Sequence, residues 1–179
     1  VINHPDYVAK INDDNKFPIK KFGALAEYLL KNKIVKKFHI PEECSIRTLN
    51  SSHSLEYINH IKNKTLDIKL QKKIGFPIND SVVRRSFVAT GGTVLASKLA
   101  LDSKLACNTA GGSHHATYDY GAGYCVFNDV AVAANYLKNK NYKKKILILD
   151  LDVHQGNGNS EIFKNDHDVV TFSMHCRSN

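Results

Sequence analysis

An α/β fold on a parallel sheet is what this sequence predicts. Short apolar runs at Leu105–Thr109, Ile146–Leu149 and Val169–Ser173 have the length and composition of buried strands. Helical patterns fall between them: Val130, Ala131, Ala134 and Leu137 in the first gap, and Ser160–Phe163 in the second. Strand, helix, strand, helix, strand in that order calls for right-handed crossovers between parallel strands. A chain of 179 residues, 42% hydrophobic and 23% charged, suits one globular domain with a substantial core, residues 1–179.

Taken in order, Val1–Pro18 is irregular, punctuated by His4-Pro5 and Phe17-Pro18. Phe22, Leu25, Ala26, Leu29 and Leu30 then recur at helical spacing, so Lys20–Asn32 reads as an amphipathic helix. After Pro41, Ser51-Ser52 can cap a helix whose Leu55, Ile58 and Ile61 line one face. Gly75 and Pro77 mark a loop, and Asn79-Asp80-Ser81 offers a cap for a helix running to about Leu101. Gly91-Gly92 inside that helix is unfavourable by propensity and implies close packing against a neighbour. A glycine-dense loop, Ala110–Asp129, follows the first strand, and Asn128 can cap the helix after it.

The chemistry concentrates on Ile146–His154 and the Gln155-Gly-Asn-Gly158 that follows. Asp150, Asp152 and His154 fall at i, i+2 and i+4, so an extended backbone sends all three side chains from one face. Two carboxylates and an imidazole at the end of an apolar strand are costly to desolvate, and a bound divalent cation removes that cost. Solvated acids beside an ordinary loop histidine are the plainer alternative. The glycines allow a sharp turn and leave room above the carboxyl end of the strand, where open α/β sheets place ligands. His114-His115 sits in the loop after the first strand and opens on the same sheet edge. Such a pair is either two exposed loop histidines or a proton acceptor with an electrostatic partner. Together the two groups favour a metal-assisted hydrolase.

Composition excludes several classes. The widely spaced Cys44, Cys107, Cys125 and Cys176 contain no CxxC pair, which argues for free thiols and a cytoplasmic setting. No apolar run is long enough to span a bilayer, and a signal-peptide pattern is missing from the N-terminus. The net charge of +8 comes from lysines interleaved with asparagine, without the interspersed aromatics of a base-stacking surface, so direct nucleic-acid binding is not expected.

Four blocks resemble the zinc-dependent histone deacetylase family, which includes acetoin-utilisation proteins and acetylpolyamine amidohydrolases: Gly111–Ala116, Gly121–Asp129, Asp150–Gly158 and Thr171–His175. The resemblance implies an arginase/deacetylase-like fold, a three-layer parallel β-sheet with helices on both faces, incomplete at the C-terminus. It implies Asp152 and His154 as two of three ligands to Zn2+, or to another divalent ion such as Fe2+. His115 resembles the general base and His114 its electrostatic partner. Asp150 corresponds to the carboxylate that orients His114. Asn157 stands where many members carry the aspartate partnering the base, and an amide leaves that imidazole less basic than a carboxylate would. Gly123 and Tyr124 resemble the wall of the acyl-lysine channel, with Cys125 beside them as packing rather than a nucleophile. A structural K+ would be held by Asp150, Asp152, His154, Ser173 and the Met174 carbonyl.

The third metal ligand and the carbonyl-polarising tyrosine of the family belong to a segment beyond Asn179, and the chain starts at Val1. The expectation is therefore an N-terminal fragment, inactive alone, of a protein that hydrolyses an N-acetyl-lysine protein or a small N-acyl amine. Two alternatives stay open: a catalytically incompetent binding fragment of the same fold, and an arginase-like ureohydrolase, which needs a richer Asp/His set around the strand.

Overall fold

Most of the helices begin where a side chain takes up an orphaned backbone N–H; the first and the last, after Lys20 and Gly156, start without one. The computed structural model describes residues 1–177. After a single 3-10 turn at Pro5–Tyr7 come α1 (Lys21–Lys31), α2 (Ile46–Leu49), α3 (Leu55–Asn63), α4 (Ile68–Ile74), α5 (Asp80–Ser103) and α6 (Asp129–Asn139). The remainder is β1 (Ile146–Asp150), α7 (Asn157–Phe163) and β2 (Val169–Ser173). Ser45, Ser54, Asp67, Asn79 and Asn128 cap α2 to α6, each accepting from a backbone N–H of the first turn.

The caps expected at Asn79 and Asn128 are found, whereas Ser54 rather than Ser51-Ser52 starts α3. Ser51 and Ser52 instead follow α2, a helix too short to show periodicity. The buried face of α3 is Tyr57, Ile58 and Ile61, with Leu55 turned outward. α1 forms as expected, but only Phe22 of its apolar stripe is buried; Leu25 and Leu30 are exposed. α5 carries Gly91 and Gly92 at contact points: a Cβ there would lie 2.0 Å from the Glu42 carbonyl oxygen and 2.1 Å from the Tyr7 hydroxyl.

The larger core joins the N-terminal segment to these helices through Tyr7, Phe22, Ile58, Ile74, Val88 and Phe127. A smaller one, Ala131, Ala134, Ile148, Phe163 and Val169, seats the sheet on α6 and α7. β1 and β2 pair in parallel, joined by α7, and the register sets Asp150 opposite Ser173. The α/β class with a parallel sheet is as expected. Leu105–Thr109, expected as a strand, makes only a parallel bridge from Asn108 to Ile2, with the Ile2 N–H donating to Cys107 and the Thr109 N–H to Ile2. Its run is short, and among the described residues β1 and β2 pair only with each other. The face of the pair away from α6 and α7 exposes Leu147, Leu149, Val170 and Phe172. Among the described residues, no helix is long and apolar enough to cross a membrane.

Candidate active site

β1 ends at Asp150, earlier than an extended Asp150–His154 requires, and Asp152 and His154 lie in the bend beyond it. The carboxylates and the imidazole nevertheless converge. The Asp152 N–H donates to Asp150 Oδ1 at 3.0 Å, folding the bend back over the strand end. Asp152 Oδ2 then accepts from the His154 N–H at 2.7 Å and meets His154 Nδ1 at 2.9 Å. Burial pushes the Asp152 carboxyl up, but the two His154 bonds and the charges of His114 and His154 outweigh it, leaving the pKa below the usual carboxylate value.

The two histidines of the glycine-rich loop face this arm. His114 Nδ1 lies 2.6 Å from Asp150 Oδ2, and its Nε2 is 3.7 Å from Asp152 Oδ2. A carboxylate only accepts, so His114 Nδ1 carries the proton. His115 Nδ1 sits 2.7 Å from Asn157 Oδ1. An amide oxygen also only accepts, which leaves His115 Nε2 as the proton acceptor. The His115 ring lies 4.1 Å from that of His114 and 5.8 Å from that of His154, centroid to centroid.

Buried polar groups hold the loop in this conformation. Asp129, 1% exposed at the first turn of α6, accepts from Gly112 N–H at 3.1 Å, Ser113 N–H at 2.8 Å and the Thr93 hydroxyl at 2.5 Å. Asn128 donates through Nδ2 to Ala116 O and Asn159 Oδ1, while its N–H donates to His53 Nε2 at 2.9 Å. His53 Nδ1 in turn donates to the Thr117 carbonyl at 2.8 Å. Burial pushes the His53 pKa down to about 4, despite opposing hydrogen bonds to the Thr117 and Tyr118 backbone, so the ring stays neutral with its tautomer fixed. The sequence alone assigns no role to Asp129, His53 or Asn159. The visible signal was Asp129, an acid immediately before an apolar helical pattern; nothing in the spacing marked His53.

The Gly156 and Gly158 positions serve close approach rather than a left-handed turn. A Cβ on Gly156 would stand 2.2 Å from Asp150 Oδ2, and one on Gly158 would stand 2.4 Å from Ala116 O. Gly123 lies against the base: a Cβ there would meet His115 Cδ2 at 2.6 Å. Tyr124 follows in a left-handed conformation, φ +65°, with its N–H donating to Ile74 O. Burial pushes the Cys125 thiol up to about 12, which suits packing rather than nucleophilic attack.

The residues expected around potassium are also neighbours. The Met174 N–H donates to the Asp150 carbonyl at 3.0 Å, and Ser173 Oγ accepts from Gly156 N–H at 3.1 Å. A cavity of about 220 Å³ lies beside them, lined by Asp150, Gly156, Asn159, Ser173 and His175. For the divalent ion the donor set is partial. Asp152 and His154 supply oxygen and nitrogen of suitable chemistry, but among the described residues no group of three or more His, Cys, Asp or Glu could hold a metal.

Comparison with known proteins shows the family and the fold. The family profile of the histone deacetylase domain matches residues 16–179. An uncharacterized protein of Picosynechococcus is 42% identical across the whole chain, which covers 60% of that protein. Histone deacetylase 2 of Arabidopsis thaliana is 29% identical over 89% of the chain and 43% of its own length. Among solved structures, an HDAC homologue crystallised with SAHA superposes with a TM-score of 0.83 at 27% identity, over 97% of this chain and 50% of that one. The chain thus spans between 43% and 60% of the length of these relatives and this solved homologue.

Proposed function

The chain belongs to the histone deacetylase family, and from that premise we propose that the full-length protein hydrolyses an N-acyl-lysine or related N-acyl amine to a carboxylate and a free amine. The observation that carries the reading is His115: its Nδ1 is committed to Asn157, and its ring stands beside the Asp152–His154 arm.

In this reading Asp152 and His154, with a third donor outside the described residues, hold zinc or another divalent ion such as Fe2+. When bound, that ion supplies Lewis acidity toward the acyl carbonyl and lowers the pKa of water. His115 Nε2 takes a proton from the attacking water as its oxygen bonds to the acyl carbon. The carbon–nitrogen bond then breaks, and the proton passes to the departing amine nitrogen. Asp150 keeps His114 oriented and offsets positive charge gathering on the histidine pair. Gly123 and Tyr124 form a wall for the acyl-lysine stem, and Asp150, Asp152, His154, Ser173 and Met174 hold a structural potassium ion. The substrate is an N-acetyl-lysine protein or a small N-acyl amine. The four free cysteines support a cytoplasmic setting.

Turnover of a fluorogenic acetyl-lysine substrate by the full-length protein tests the proposal. Hydrolysis that is lost on chelation and restored by zinc is the expected result. A folded, zinc-loaded protein without hydrolysis of any acyl-lysine or acyl-amine substrate overturns it.

A further inference from the structure

Tyr124 is held by residues remote from it in sequence. Its ring packs against Phe17 at 5.0 Å and Phe76 at 5.2 Å between centroids. Beneath it lies Gly75, where a Cβ would stand 2.9 Å from Tyr124 Cε1. Phe17 and Gly75 are in turn tied together by one side chain: Asn15 Oδ1 accepts from the Phe17 N–H at 3.0 Å, and Asn15 Nδ2 donates to the Gly75 carbonyl at 3.0 Å. The contacts close a ring, Asn15 to Phe17 to Tyr124 to Gly75 and back to Asn15.

Besides Tyr124, Phe17 packs on Phe76 at 5.0 Å and Phe22 at 6.1 Å between centroids. It is only half-buried, and a cavity of about 540 Å³ borders it, lined by Val8, Ile11, Asn15, Phe17 and Ile19. The clamp from Asn15 ties the Phe17 main chain to Gly75 and so sets where the phenyl ring, held also by Phe76, meets Tyr124. Tyr124 needs such support, because a non-glycine residue at φ +65° is intrinsically disfavoured.

We infer that Asn15 and Phe17 are positioning residues that set the channel wall through Tyr124 and so determine which acyl groups are accepted. This rests on the reading of Tyr124 as part of the acyl-lysine channel. Neither residue touches the histidines or the Asp152–His154 arm, so the effect falls on substrate fit rather than on proton transfer.

The experiment uses the full-length protein, with kinetics on lysine peptides bearing acyl chains of increasing length and with 3-fluorotyrosine at position 124. Asn15→Ala and Phe17→Ala are expected to raise KM for the preferred acyl-lysine by about tenfold while kcat stays within about twofold, the pattern of lost uniform binding. The order of preference among chain lengths shifts as well. In the fluorine spectrum the single resonance of the parent is expected to broaden or split in Asn15→Ala. Asn15→Ala removes no buried apolar surface and carries the test if Phe17→Ala does not fold. A fluorine resonance unchanged by Asn15→Ala overturns the inference whatever the kinetics show, as does an unchanged KM and chain-length profile in an active, folded variant. A parent without hydrolysis contradicts the functional reading instead, and the fluorine spectrum still decides the brace.

Discussion

The two halves of the site are built differently. The histidine half is fixed by the chain itself: His114 is buried, and the loop that carries the pair is bonded to Asp129, Asn128 and, through Thr117, to His53. The Asp152–His154 half is exposed, lies beyond the end of β1, and has its side chains bonded mainly to one another. On the proposed function, the first half is the one preorganised for proton transfer, and the second is a donor pair whose geometry a bound ion would complete. Rigidity here follows from buried polar groups with every partner supplied, since in a low-dielectric interior a misplaced carboxylate or amide is costly.

That contrast can be tested from both sides. The largest expected effect is on chemistry: His115→Ala in the full-length protein lowers kcat by about a hundredfold or more, the scale of a lost general base, with little change in KM. Near-normal kcat in that variant would assign the base elsewhere. Next is the loop anchor. Asp129→Ala leaves Gly112 N–H, Ser113 N–H and the Thr93 hydroxyl without their acceptor, so denaturant unfolding should show a loss of about 3 kcal/mol or more. A loss confined to a few tenths would mean the loop is held by other contacts.

The pH dependence of stability reports on His53. Its pKa is about 4 in the folded protein against an ordinary 6.5, so the unfolded chain binds the proton first. Stability should therefore be complete above about pH 6.5 and decline by about 3 kcal/mol as the pH falls toward 4. Replacing His53 with Asn should remove that component of the slope; an unchanged slope would locate it in other groups. The smallest effect is expected at the exposed half. Asp152→Ala in the metal-free protein should alter stability by no more than about 0.5 kcal/mol, as for surface positions generally. A large loss there would show that this half too is part of the folded framework.

The same contrast explains what the sequence made legible. Helices with a capping residue before a periodic stretch, such as α5 after Asn79 and α6 after Asn128, could be read directly because their signals are local. β1 and β2 are readable as apolar runs, and the spacing of Asp150, Asp152 and His154 points to the candidate site although the strand stops before two of them. Leu105–Thr109 does not form the strand its composition predicts, because strand formation depends on a partner and, among the described residues, only Ile2 bridges it. The exposed apolar side of α1 shows the same limit: periodicity gives the helix, not what covers it. His53 could not be found, since its role arises from contacts with Thr117 and Asn128, far along the chain.

Metal content of the purified full-length protein tests the division most directly. One divalent ion per chain is expected, retained by His115→Ala and lost from Asp152→Ala, with both variants folded. An ion retained in full by Asp152→Ala, or lost from His115→Ala, would contradict the division of the site into a self-sufficient proton-transfer half and a metal-completed half.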